Sequence, residues 1–289
     1  MRYNLSVGAI FKNEAPYLKE WIEHYLKRGV EHFYLINDYS NDNYLEILDP
    51  YIKNKIIDIF NVKTPQLFLN RQYSIYNHFF SLIKNQTKWL IVCDIDEYIW
   101  SPRCLNFNSL IPEMEKENIH AYCPSSILFG SNGHIQQPKE IVNSFTKRQE
   151  INEKTVNFIK KYMQTKYICL TSEVEEFGIH VCNIKNYNNG KVICPEPADL
   201  NNALFRLNHY RLQSKEKWER NLTKTDVNCF CPPNSCWFSP SLNYEIKSLS
   251  FLTDNYRTMR LFEDADKEQN LIEDLDLILQ NKLADSKYL

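Results

Sequence analysis

A chain of 289 residues is long enough to bury a substantial core without disulfide or metal staples, as one large α/β domain or one domain with an appendage. With 34 Lys and Arg against 36 Asp and Glu, the formal net charge is -2, so no global basic field exists to gather nucleic acid or anionic lipid. Only 6 glycines are present, which leaves no Gly-rich loop to cradle a phosphate and excludes the P-loop and dinucleotide fingerprints.

The first hundred residues alternate short apolar runs with helix-period segments, the mark of βαβ units and a mostly parallel sheet. Leu5 to Phe11 reads as the first strand and runs into the polar break Lys12, Asn13, Glu14. A helix follows, with Leu18, Trp21, Ile22, Tyr25 and Leu26 on one face, Pro16 in its first turn and Gly29 just past its end. Val30 to Ile36 is a second buried strand, the loop 37–42 carries Asp38, Ser40 and Asp42, and a short helix around Tyr44 to Leu48 is expected to close at Pro50. Ile56 to Phe60 forms a third strand. The helix around Arg71 to Lys84 is expected to bury Ile75, Phe79, Leu82 and Ile83, and Trp89 to Cys93 is the fourth strand. Beyond it the reading turns antiparallel, with strands at Tyr122 to Phe129 and Ile141 to Arg148 around a tight turn at Gly130 to Gly133. From Trp218 the text is helical or loop-like, and an apolar stripe through Tyr256, Met259, Leu271, Ile272 and Ile278 predicts a helical C-terminal tail.

Nine cysteines, an odd number without a regular framework, fit reduced thiols in a cytosolic compartment. Cys229, Cys231 and Cys236 lie close together but lack a fourth ligand and zinc spacing. The N-terminal MRYNLSVGAIF is interrupted too early for a signal peptide, and no run reaches the roughly 18 apolar residues of a membrane span. The sequons at Asn85 and Asn221 are expected by chance in an Asn-rich chain.

The segment that carries chemistry is Asp94-Ile95-Asp96-Glu97, which begins where the fourth buried strand ends. Ligands of open α/β sheets bind outside the carboxyl ends of the strands, so these carboxylates face a crevice. On an extended backbone Asp94 and Asp96 project to the same side, giving a hard oxygen site suited to Mg²⁺ or Mn²⁺. Such a cation would bear charge on a departing diphosphate. Asp-x-Asp alone is a weak signal, and a solvated strand end or cap is the bland alternative.

The element order resembles the GT-A nucleotide-diphospho-sugar transferase fold, and several stretches look like the family 92 glycosyltransferases and their bacterial and viral relatives. The matching text is FKNEAPYLKEWIEHYLKRGVEHFYLINDYSND, YNHF, DIDEYI, FGSNGH, IVNSFTKR, FGIHV and NHYRLQSKEKWERN, in that order. The resemblance implies an α/β fold with a mixed, mostly parallel central sheet flanked by helices. One catalytic domain is expected over residues 1–250, its nucleotide-binding half ending near residue 105 and its acceptor-side half following to 250. A helical extension would cover 251–289. The implied activity is metal-dependent transfer of a hexose such as galactose from a UDP-sugar to a glycan or glycoconjugate acceptor, with inversion.

By the same resemblance, Lys12, Asn13, Glu14, Asp38, Ser40 and Asp42 hold the nucleoside, with Asn77, Arg71 and Asp94 near the nucleotide. Mn²⁺ or Mg²⁺ would be held by Asp94, Asp96 and His209, and Arg206, Arg211 or Lys215 could pair with the diphosphate. The general base is sought among Glu176, Glu175 and His134, with His180 in the same loop as the two glutamates. Each residue also has a bland reading: Asn, Asp and Ser favour turns, a lone histidine is often structural, and acidic pairs are often a solvated face. A metal-dependent phosphoesterase and an inactive glycan-binding scaffold are the alternatives. The expected location is cytoplasmic or peripheral at the inner face of a membrane, with self-association through the C-terminal helices; no nucleic-acid partner is expected.

Overall fold

A computed structural model describes residues 1–63, 71–153, 156–157, 165–185, 190–196, 202–223, 271–274 and 277. The first three βα steps run β1 (Tyr3–Phe11), α1 (Ala15–Leu26), β2 (His32–Asn37), α2 (Tyr44–Lys53), β3 (Ile57–Asn61), α3 (Arg71–Ile83) and β4 (Thr87–Val92). Then come β5 (Glu97–Trp100), α4 (Ile111–Lys116), β6 (Ile119–Tyr122), β7 (Ser126–Leu128), β8 (Lys147–Gln149) and β9 (Tyr167–Leu170). β10 (Val174–Phe177), β11 (Cys182–Ile184), β12 (Lys191–Ile193), β13 (Arg206–His209), α5 (Lys215–Thr223) and β14 (Leu271–Glu273) complete the described elements.

Seven strands form the central sheet in the order β12-β6-β9-β4-β1-β2-β3. β1 pairs parallel with β2 and β4, β2 with β3, and β6 with β12, while β9 runs antiparallel between β4 and β6. The expected α/β layout with a mixed, mostly parallel sheet is therefore present. A smaller sheet, β5-β13-β7, stands beside it.

Alternation along β1 builds both faces of the core. Leu5, Val7, Ala9 and Phe11 meet Leu18, Trp21, Ile22 and Tyr25 of α1, whereas Ile10 lies with Tyr76, Phe80 and Ile83 of α3. Gly8 is required by this second contact, because a Cβ there would stand 2.7 Å from the Phe80 ring. Cutting Trp21 or Phe80 back to Ala would cost about 3–5 kcal/mol by the usual range for buried aromatics. The end of α1 is as expected: Gly29 adopts φ +85, and the Val30 amide donates to the Tyr25 carbonyl at 3.1 Å.

Several sequence expectations are corrected. Pro50 does not close α2, which continues to Lys53; the proline removes one backbone donor, while the hydroxyl of Tyr51 beyond it donates to Glu23 Oε1 at 2.5 Å and anchors the extra turn. The buried face of α3 is Arg71, Gln72, Ile75, Tyr76, Phe80 and Ile83, with Leu82 59% exposed, so the apolar stripe is rotated from the expected one. The strand foreseen over Tyr122 to Phe129 is cut at Pro124, which has no N–H for a ladder; β6 stays in the central sheet and β7 joins β13. Ile141 to Phe145 is a turn and not a strand, because the Glu20 carboxylate of α1 accepts the amides of Ile141 and Val142 at 2.6 and 2.8 Å.

The helical tail is corrected in part as well: Leu271–Glu273 is a strand pairing antiparallel with β8. It carries Asp274 into a buried cluster, where its carboxylate accepts from Arg148 Nε at 3.0 Å and from Arg206. Apart from Leu277, whose amide donates to Asp274 Oδ1 at 3.1 Å, the rest of the 251–289 extension, the self-association expected through it, and Cys229, Cys231 and Cys236 lie outside the described residues. No helix among the described residues is long and apolar enough to cross a membrane.

Candidate active site

β4 ends at Val92, and Asp94 to Glu97 form a turn instead of the extended strand end expected. The Glu97 amide donates to the Asp94 carbonyl at 3.1 Å, which ends the two-residue alternation on which the same-side reading rested. The turn is held by α1: Trp21 Nε1 donates to the carbonyls of Asp94 and Glu97, each at 3.1 Å, and the Tyr25 hydroxyl donates to the Glu97 carbonyl at 3.2 Å. The amphipathic face of the first helix thus fixes the backbone of the acidic motif.

His209 arrives by strand register. β13 pairs antiparallel with β5, Cα partner to Cα partner, so that His209 is opposite Glu97. Its Nε2 lies 3.6 Å from Asp96 Oδ2 and its Nδ1 3.8 Å from Glu97 Oε1. Arg206, three residues earlier, is committed elsewhere: it stacks over Trp100 at 4.0 Å and pairs with Asp274, which removes it from the diphosphate candidates. Arg211 is exposed, its charge acting on His209, and Lys215 is half-buried.

Two of the three expected cation ligands are therefore adjacent. In an octahedral Mg²⁺ shell with bonds of about 2.0–2.1 Å, neighbouring ligand atoms stand about 3 Å apart, so Asp96 and His209 need only a small closure. Asp94 is arranged differently. Its Oδ2 accepts from Lys166 Nζ at 2.8 Å and its Oδ1 from the Tyr76 hydroxyl at 3.3 Å. Among the described residues no three His, Cys, Asp or Glu side chains are placed to hold one ion. The donor set, one carboxylate and one imidazole, fits a cation that takes the rest of its shell from phosphate oxygens and water.

The electrostatics are those of a compact charge cluster. Burial opposes ionisation of Asp96, but His209, Lys217 and Lys166 outweigh it and hold the carboxyl below the usual range. Burial, with Asp94 and Asp96 as like-charged neighbours, pushes Glu97 up to about 7 against the pull of Lys166 and His209. Burial would discharge Lys166, yet Asp94 and Glu97 raise it well above the ordinary lysine value. His180 is lowered by burial first and by Lys166 next.

The expected nucleoside loops are joined to each other. The Asn13 amide donates to Ser40 Oγ at 3.0 Å, Asn13 Oδ1 accepts from the Asn41 amide at 2.8 Å, and Asp42 Oδ2 accepts from the Ala15 amide at 2.8 Å. Asn13 and Tyr39 both take positive φ, 54 and 57, as these abrupt turns at the strand ends demand. Glu14 Oε2 accepts from Lys217 Nζ at 3.2 Å, bringing α5 against the first loop. Lys12 is half-buried in that loop.

Other expected site residues turn inward or away. Asp38 is fully buried and receives Arg71 in a two-pronged ion pair, Nη1 to Oδ2 at 2.8 Å with Nη2 on Oδ1. The amide of Asn77 is spent on the Phe177 backbone, accepting its N–H and donating to its carbonyl, both at 2.8 Å. Glu175 and Glu176 lie on the exposed face of β10, and Glu176 accepts from Asn183 Nδ2 at 2.9 Å. His134 Nε2 meets the Ser144 carbonyl at 3.1 Å. Among the described residues, no contact ties Glu175, Glu176 or His134 to the acidic turn. His180 is exposed, and its Nδ1 lies 3.1 Å from the carbonyl of Thr165, the neighbour of Lys166.

Sequence reading missed Lys166, Tyr76 and the part played by Glu97. Lys166 stands in a Lys-rich stretch with no local signal, and only the pairing of β9 with β4 brings it to Asp94. Tyr76 was recoverable from its place one helical turn before Phe80 on the buried stripe.

The site is thus an acidic turn at the end of β4, in an α/β sheet, faced by a histidine of β13. The chain belongs to glycosyltransferase family 92, whose sequence profile matches residues 3–228. A curated family 92 protein of Ricinus communis is 24% identical over 102 residues, covering 35% of this chain and 17% of the relative. A further match to a protein so named is 22% identical over 162 residues, covering 55% and 29%. The chain spans under a third of the length of these relatives. Among solved structures it is similar to S. aureus TarS 1-349 in complex with UDP-GlcNAc, with a TM-score of 0.47 and 12% identity over 92% of this chain and 72% of that one. Glucosyl-3-phosphoglycerate synthase from Mycobacterium tuberculosis, in complex with Mn²⁺, UDP and glucosyl-3-phosphoglycerate, gives a TM-score of 0.34 and 10% identity over 60% and 58%.

Proposed function

We propose that this glycosyltransferase moves a hexose such as galactose from a UDP-sugar to a glycan or glycoconjugate acceptor, with inversion, in a reaction that depends on Mn²⁺ or Mg²⁺. The observation that carries the reading is the placement of Asp96 and His209 3.6 Å apart at the carboxyl end of β4. When bound there, the cation supplies Lewis-acid stabilisation of charge on the departing diphosphate.

The chain's own residues do the rest. Asp96 and His209 hold the ion, while Trp21 and Tyr25 keep the turn from shifting. Lys12, Asn13, Glu14, Ser40 and Asp42 form a linked rim at the ends of β1 and β2, where amide and carboxylate groups can accept from ribose hydroxyls. In this reading Asp38, Arg71 and Asn77 act as supports, through the Asp38–Arg71 pair and the bonds of Asn77 to the Phe177 backbone. For the proton of the acceptor hydroxyl, the geometry favours His180 over Glu175, Glu176 and His134. Its Nδ1 lies 3.1 Å from the Thr165 carbonyl, to which it can donate, leaving Nε2 as the acceptor. A cytoplasmic setting is part of the same proposal.

A panel of nucleotide sugars incubated with the protein and Mn²⁺ tests the reading. UDP-sugar hydrolysis releasing free sugar and UDP supports it; release of inorganic phosphate instead would favour a phosphoesterase, and inertness towards every donor would favour a scaffold.

A further inference from the structure

The acidic turn already contains a cation of its own. Lys166 is 1% exposed, and its Nζ lies 2.8 Å from Asp94 Oδ2 and 3.6 Å from Glu97 Oε2. The other oxygen of Asp94 accepts from the Tyr76 hydroxyl at 3.3 Å, and Glu97 Oε2 accepts from the Asp94 amide at 2.9 Å. The ammonium therefore stands where an Asp-x-Asp metal site would use its first carboxylate. Asp96, 35% exposed, is on the open side of the cluster with His209.

We propose that Lys166 is a built-in counter-ion that withholds Asp94 from the divalent cation, so that Asp96 and His209 alone offer too few ligands and the ion is retained only when a nucleoside diphosphate completes its shell. The inference rests on the reading of Asp96 and His209 as the cation's holders. Its physical basis is ligand count and charge: one carboxylate and one neutral imidazole leave most of an octahedral shell to water, whereas a second carboxylate adds both a bond and a negative charge. Lys166 is a positioning residue in this scheme, and its effect is on metal affinity in the absence of substrate.

The test is titration of Mn²⁺ alone, followed by electron paramagnetic resonance of the free ion, on the wild-type protein and on K166M, D94N and K166M/D94N. Wild type is expected to bind Mn²⁺ weakly without nucleotide, and K166M to bind it about tenfold or more tightly, as expected when the ligand charge count rises. The gain should vanish in K166M/D94N. Equal Mn²⁺ affinity in K166M and wild type, or a gain that survives in the double variant, overturns the proposal. Should K166M fail to fold, D94N decides: nucleotide-free Mn²⁺ affinity within about threefold of wild type is expected, and a drop of about tenfold would make Asp94 a ligand and overturn the scheme. Failure of the underlying reading shows separately, as an Asp96→Asn protein whose binding of Mn²⁺ together with UDP is unchanged.

Discussion

Replacing Asp38 by Asn separates a supporting role from a ligand-binding one. The carboxylate is 0% exposed and its partner Arg71 1%, so the substitution keeps the volume but leaves a buried guanidinium without its counter-charge. Breaking a buried pair by removing one partner costs about 3–5 kcal/mol. For a domain of this size, about 2–4 °C of Tm is lost per kcal/mol, so a fall of about 6–20 °C is expected in thermal unfolding followed by circular dichroism. Asp38→Leu combined with Arg71→Met should recover most of the loss, because replacing both charges with apolar groups is often neutral. A Tm within about 1 °C of wild type, together with UDP binding weakened by about tenfold, would show that Asp38 meets the nucleoside directly and refute the supporting role.

The segment beyond the family match should matter for stability. Asp274→Asn removes the counter-charge of two guanidiniums, the more buried being Arg206, and is expected to cost about 3–5 kcal/mol in urea unfolding. Glu113→Ala, which breaks the exposed pair with Arg103, should cost under about 1 kcal/mol; similar losses for the two variants would mean that the Asp274 cluster is not dry. Acid should weaken the fold through His24. Burial, and then Arg28, lower its pKa well below the ordinary 6.5, so the unfolded chain binds the proton more readily. Stability is therefore fully present above about 6.5 and falls as pH drops below it. His24→Gln should flatten that slope between about pH 6.5 and 5, and an unchanged slope would assign the acid sensitivity elsewhere.

The first hundred residues were legible because their signals are local. Apolar runs gave β1, β2, β3 and β4 within two residues at each end, and the stripe Leu18, Trp21, Ile22, Tyr25 gave α1 and its buried face. Two of the failures depended on partners distant in sequence. Glu20 turned 141–145 away from a strand, and β8 drew Leu271–Glu273 into a sheet. At the site, the position of Asp94 and Asp96 after a buried strand was readable, and so was His209 through its resemblance to a known segment. Lys166 was not, since a lysine 72 residues away has no pattern linking it to Asp94 until β9 pairs with β4. The types of Asp38, Arg71 and Asn77 suit ligand contacts, and only the structure shows Asp38 paired with Arg71 and Asn77 bonded to the Phe177 backbone.

The central claim is that Asp96 makes nucleotide binding respond to a divalent cation. Calorimetric titration of UDP with and without Mn²⁺, on wild type and Asp96→Asn, tests it directly. Wild type should bind UDP at least about tenfold more tightly with Mn²⁺, about 1.4 kcal/mol, and Asp96→Asn should lose that increment while keeping its fold. An equal response to Mn²⁺ in both proteins would contradict the claim, as would UDP binding by wild type that ignores the metal.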